Sequence, residues 1–263
     1  MKRLILIQND YSGAGKTTLA QCFDHYLNMH RVSHHNAVLT ETHDINRTRS
    51  QMDADALKLP VFIGLLDQSD LLILEIESGM TDLFYSFYEK HELANLLPEM
   101  GWDMTVVLPV TSEDESFDAA STAAEVFSDC AQYFVVHTPT SSFYDDESMT
   151  WERSHAARVM DMFEAVDMNM PPAPDALEYQ LKIRHVELFE AIQVTDQDPV
   201  LHTEMAKWFR KVSAQLEMAK KYVFGDSFRP EIRVLPTKEQ TRKVRGRKPK
   251  GAMALMQALA DAA

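Results

Sequence analysis

Residues Ser12-Gly13-Ala14-Gly15-Lys16-Thr17-Thr18 lie between the apolar run Leu4-Ile5-Leu6-Ile7 and the helix-forming stretch Leu19-Ala20-Gln21-Cys22-Phe23. A strand, a glycine turn, a lysine, a hydroxyl and a helix in that order form the arrangement that a phosphate-binding loop requires. Turn glycines let backbone N–H groups converge on phosphate oxygens. The helix opening near Lys16 adds its unpaired N–H groups and the positive end of its dipole. In such a loop Lys16 reaches the β- and γ-phosphates and the Thr17 hydroxyl holds Mg²⁺. Ser12, Gly13, Ala14, Gly15, Lys16, Thr17 and Thr18 are therefore the candidate binding residues for ATP, with Lys16 also catalytic. A chance Gly-x-Gly turn before an ordinary helix is the competing reading, and the strand–turn–helix context weighs against it.

Asp10 stands where the standard loop pattern has its first glycine. The order Gly-x-Gly-Lys-Thr-Thr directly after an N-terminal strand resembles the deviant Walker A loop of the ParA/MinD group of ATPases. Tyr11 and Ser12 stand where that group carries its signature lysine and glycine. The resemblance implies that this lysine crosses a nucleotide-sandwich dimer, so the departure bears on dimer mechanism and not on phosphate binding.

At 263 residues the chain suits one large α/β domain with a tail, or two small domains, and 45% hydrophobic residues are ample for a core. No apolar run approaches the ~20 residues of a membrane span, and the N-terminus lacks a signal-peptide pattern. Cys22 and Cys130 both read as buried thiols of a reducing, cytoplasmic setting, and His34-His35 as solvated loop residues. Net charge is −14, yet from Lys238 onward seven Lys/Arg face two acids, so the tail carries +5 and the rest −19. An acidic body repels nucleic acid, while such a tail attracts it.

Along the chain, strands are expected at 2–8, 37–40, 71–74, 104–110 and 133–136. Helices are expected at 16–30, 60–68, 113–131 (with Ser112 as a possible cap), 152–166 and 175–192, and from Pro199 onward. This alternation predicts an α/β three-layer fold of the P-loop NTPase type, with a mainly parallel central sheet and added C-terminal helices. Residues 1–225 form the nucleotide-binding domain and 226–263 a flexible basic tail. In the helix after Pro199, Leu201, Met205, Trp208, Phe209, Val212, Leu216, Ala219 and Val223 recur at helical spacing. That stripe reads as a core face in preference to a dimer face.

Parallel α/β folds place ligands at the carboxyl ends of strands, which directs attention to two acidic strand ends. Glu41, His43 and Asp44 follow the second strand, and the resemblance to ParA-like ATPases implies that this segment orients an attacking water. A polar strand-end loop is the plainer alternative. Glu75 and Glu77 end the aliphatic run Leu71–Leu74 and are candidate Mg²⁺-site acids, with Gly79 positioned to approach the γ-phosphate. Ile76-Glu77-Ser78-Gly79 with Phe84 and Tyr88, and the later Leu96-Leu97-Pro98-Glu99-Met100-Gly101, resemble ParA-related proteins of plasmid transfer, mobilisation and stability loci. Glu stands in place of Asp at both acidic sites.

In the tail, Arg242, Lys243, Arg245, Arg247, Lys248 and Lys250 surround Gly246 and Pro249 and resemble an AT-hook, a minor-groove element. They are the candidate nucleic-acid contacts. A solvated basic linker is the alternative. The short stripe Ala252, Leu255, Met256, Leu259 suits a partner, the protein's own body or a membrane surface. It lacks the aromatic and cationic faces of a good membrane helix. The resemblance implies a homodimerising, weak Mg²⁺-dependent ATPase in plasmid maintenance or conjugal transfer, whose tail engages DNA or a DNA-bound partner. The alternatives are a P-loop kinase or synthetase for a small acceptor, and a nucleotide-binding scaffold that hydrolyses little.

Overall fold

A computed structural model describes residues 1–41, 50–139, 151–179, 188 and 199–230. Seven strands form one sheet: β1 (Lys2–Ile7), β2 (His35–Thr40), β3 (Ser50–Asp53), β4 (Leu71–Ile76), β5 (Trp102–Val110), β6 (Gln132–His137) and β7 (Val166–Asn169). Their order is β3-β2-β4-β1-β5-β6-β7, and every neighbouring pair is parallel. The helices are α1 (Lys16–His30), α2 (Leu59–Leu66), α3 (Thr81–Lys90), α4 (Leu93–Glu99), α5 (Asp114–Phe127), α6 (His155–Met162), α7 (Asp175–Glu178) and α8 (Pro199–Phe224). This is the α/β fold with a parallel central sheet that the alternation of elements implies.

The period-2 alternation of strand side chains divides the core into two layers. Leu4, Leu6, Leu72, Leu74, Val106, Leu108, Tyr133 and Val135 face one side, where they meet Phe62 of α2, Phe84 of α3, Leu97 of α4, Phe117 and Phe127 of α5, and Met160 of α6. Ile5, Ile7, Leu71, Ile73, Val107, Phe134 and Val136 face the other, against α1 and α8. Strands buried on both faces read as continuous aliphatic runs, which is why β1 and β4 stand out in the sequence. On α8 the residues Met205, Trp208, Phe209, Val212, Leu216, Ala219 and Val223 are all buried in this second layer. The stripe is a core face.

Several expectations need correction. Strands β3 and β7 were not anticipated. The helix expected at 152–166 breaks at Ser154, which caps α6 by accepting from the Ala157 N–H, and it ends at Met162. Glu113, and not Ser112, occupies the N-cap position of α5 and makes no side-chain cap bond there; Asp114 and Glu115 still fill the first turn. Cys22 is buried, but Cys130 is exposed, because it sits in a 3₁₀ turn beyond the end of α5. His34 is not a solvated loop residue: its ring is buried and lies 2.9 Å from both Asp24 and the Val32 carbonyl. His35 opens β2. Of the helix expected at 175–192, α7 covers only Asp175–Glu178, and most of the remainder lies outside the described residues.

The position of β1 sets the position of the loop that follows it. Ile7 is in register with Glu75 of β4 on one side and Val107 of β5 on the other. The chain leaves β1 at the centre of the sheet and returns through α1 to β2, beyond β4. The loop thus emerges at the carboxyl edge beside a topological switch point, the usual ligand crevice of open α/β sheets.

Candidate functional site

The loop between β1 and α1 depends on two left-handed glycines, Gly13 at φ 90° and Gly15 at φ 88°. Gly15 is the N-cap residue of α1 and supplies no side-chain cap. The first helical bond runs from the Leu19 N–H to the Gly15 carbonyl at 2.9 Å. The N–H groups of Lys16, Thr17 and Thr18 therefore precede the helix's own ladder and point out of its positive end. A Cβ at Gly15 would sit 3.4 Å from Thr138 Cγ2. Thr138 itself clamps the loop: its Oγ1 lies 2.9 Å from the Ala14 carbonyl and 3.0 Å from the Val110 carbonyl.

Lys16 is 6% exposed. Its ammonium donates to the Asn9 carbonyl at 2.5 Å, the Tyr11 carbonyl at 3.2 Å and Ser78 Oγ at 2.7 Å. Burial lowers its pKa below the ordinary lysine value, an effect countered in part by Glu75, Asp10 and Glu77. Asn9, itself buried, fixes the start of the loop. Its Nδ2 donates to the Pro109 and Ser116 carbonyls at 2.9 and 3.0 Å, and its Oδ1 accepts from the Tyr11 N–H at 2.9 Å.

Three carboxylates act on this cation by charge. Glu75, 2% exposed, accepts from Thr17 Oγ1 at 2.5 Å. Glu77 accepts from Thr40 Oγ1 at the end of β2. Asp10 accepts from the Gly79 N–H at 2.7 Å and Thr81 Oγ1 at 3.0 Å. Gly79 is left-handed at φ 85°, which turns the chain from β4 into α3.

The donor set fits a triphosphate with its cation. The exposed Thr17 hydroxyl beside the Glu75 carboxylate offers the hard oxygen ligands that Mg²⁺ prefers, with water and phosphate left to complete its shell. Among the described residues no three His, Cys, Asp or Glu side chains gather as a metal cage, and a Mg²⁺ held in this way needs none.

Of the residues expected at the site, Ser12, Gly13, Ala14, Gly15, Lys16, Thr17 and Thr18 lie on the loop and the first turn of α1, with Glu75, Glu77 and Gly79 beside them. Glu41 is exposed immediately after β2. His43 and Asp44 lie outside the described residues, as do Arg242, Lys243, Arg245, Arg247, Lys248 and Lys250. Asn9, Asp10, Ser78 and the clamping contacts of Thr138 are not legible in the sequence. Their roles are contacts between loops far apart in sequence; the one local hint was Asp10 in a glycine position.

No family model matches the chain, and a search of curated proteins gives no match. Among solved structures, the chain is similar to the MinC:MinD cell division protein complex of Aquifex aeolicus, at 13% identity and a TM-score of 0.42, over 81% of this chain and 96% of that one.

Proposed function

We propose that this protein is an ATP-binding nucleotide switch of the ParA/MinD type with weak Mg²⁺-dependent hydrolysis. The observation that carries the reading is the buried Lys16 ammonium, held under an uncapped helix N-terminus with the Thr17–Glu75 pair beside it. Lys16 releases one or more of its loop acceptors to neutralise phosphate charge. The N–H groups at the start of α1 bind the phosphate oxygens. Thr17 and Glu75 hold Mg²⁺, with Glu77 nearby, and the Glu41–Asp44 segment orients water. When bound, the cation neutralises charge developing between the β- and γ-phosphates. Ser78 and Gly79 sense the third phosphate and pass its presence to α3, so that nucleotide state alters dimerisation or partner binding.

The plasmid role belongs to this proposal too, with the basic tail engaging DNA or a DNA-bound partner. Phosphate release with and without DNA is the test. Slow release that DNA or a partner stimulates is the expected result. Tight ATP binding without turnover would instead favour a scaffold, the reading that Tyr11 in the signature-lysine position supports. Transfer to a small acceptor would replace the switch with a kinase.

A further inference from the structure

The loop after β4 is tied to the nucleotide loop by three hydrogen bonds: Lys16 to Ser78, Gly79 to Asp10, and Thr81 to Asp10. Two of the three end on one oxygen, Asp10 Oδ1. Gly79 is exposed and its N–H is held by Asp10. The neighbouring residue, Ser78, is already in contact with the ammonium that a bound triphosphate would claim. An anion on Lys16 and the Asp10 carboxylate would thus meet at adjacent backbone positions.

We propose that Asp10 is an internal stand-in for the terminal phosphate. In the nucleotide-free protein its carboxylate holds the Gly79 N–H and keeps residues 78–81 docked on the nucleotide loop. A terminal phosphate displaces it from that donor and pushes it away by charge, which frees the start of α3. Asp10 therefore lowers affinity for a nucleoside triphosphate more than for the diphosphate, and couples the third phosphate to the loop that moves. This inference rests on the nucleotide reading of the site. Asp10 is a positioning residue, since it acts through Gly79 and Thr81.

Two like charges close together near a protein surface repel strongly enough to change affinity measurably. Asp10→Asn keeps an acceptor of the same shape and removes the charge. Asp10→Ser also keeps an acceptor without charge and serves as the second variant. The test is titration of the full chain and both variants with Mg²⁺ and a non-hydrolysable ATP analogue, and separately with ADP. Triphosphate affinity is expected to rise about tenfold in both variants and ADP affinity by about twofold or less. Equal changes for the two nucleotides, or no change for the triphosphate, would overturn the stand-in role while leaving nucleotide binding itself standing. A native chain that binds neither nucleotide would overturn the nucleotide reading and this inference together.

Discussion

Thr17 Oγ1 donates to Glu75 Oε1 at 2.5 Å, joining the first turn of α1 to the penultimate residue of β4. The pair brings a hydroxyl and a carboxylate 58 residues apart to the mouth of the loop between β1 and α1. Glu75 also opposes the burial that depresses the Lys16 pKa, so one carboxylate serves both the proposed cation site and the lysine.

Thr17→Ala and Glu75→Gln should therefore uncouple Mg²⁺ from nucleotide. Groups that orient a metal's ligands are worth about 10- to 100-fold in metal affinity. ATP titrations in Mg²⁺ and in EDTA should show the Mg²⁺ enhancement falling by at least about tenfold in each variant. An unchanged enhancement would remove both residues from the cation site.

His34 predicts a pH signature of stability. Burial alone would lower its pKa, but hydrogen bonds to Asp24 and to the Val32 carbonyl outweigh this and raise it above the ordinary value of 6.5. Both ring nitrogens face acceptors, which only the imidazolium can satisfy. The stabilisation is fully present below the unfolded-state pKa and fades as pH rises through the higher folded-state value. His25 and His35 shift the opposite way, through burial first, so the comparison must be between the native chain and His34→Gln. The stability gap between the two, followed by denaturant unfolding across pH 5 to 9, should shrink toward high pH; a gap independent of pH would contradict the charged assignment.

The long C-terminal helix supplies a packing test. Leu216 of α8 is fully buried, whereas Met218, two residues on, is 85% exposed. Leu216→Ala should cost about 2–5 kcal/mol of unfolding free energy. Met218→Ala should stay within about 0.5 kcal/mol. Chemical denaturation of both variants measures the difference, and similar midpoints would mean that α8 is not a core element.

The tail prediction concerns DNA. Removing residues 237–263 should abolish DNA binding, and the intact chain's affinity should fall steeply with salt, as counterion release requires. Equal binding by both forms would dismiss the basic segment as a solvated linker.

What was legible in the sequence follows from where each signal resides. The central strands are covered on both faces, so Leu4–Ile7 and Leu71–Leu74 read as aliphatic runs. The edge strands β3 and β7 are four residues each and bury only Met52 and Met168, too little for a period-2 pattern. The proposed nucleotide loop is local, and its seven residues follow one another in the chain. Asp10 and Ser78 acquire their roles only when the loops after β1 and β4 meet, and no spacing along the chain encodes that meeting. His34 is a loop residue as read, but its burial is not legible because its partner, Asp24, lies ten residues back on α1.

The central claim is that Lys16 holds a nucleotide's phosphates. Calorimetric titration of the native chain and of Lys16→Ala with Mg²⁺·ATP, with circular dichroism to establish that both are folded, tests it most directly. The account predicts saturable binding by the native chain and a loss of at least about 100-fold in the variant, the scale of a buried charge-assisted contact to phosphate. ATP affinity unchanged by the loss of Lys16, in a folded variant, would contradict it.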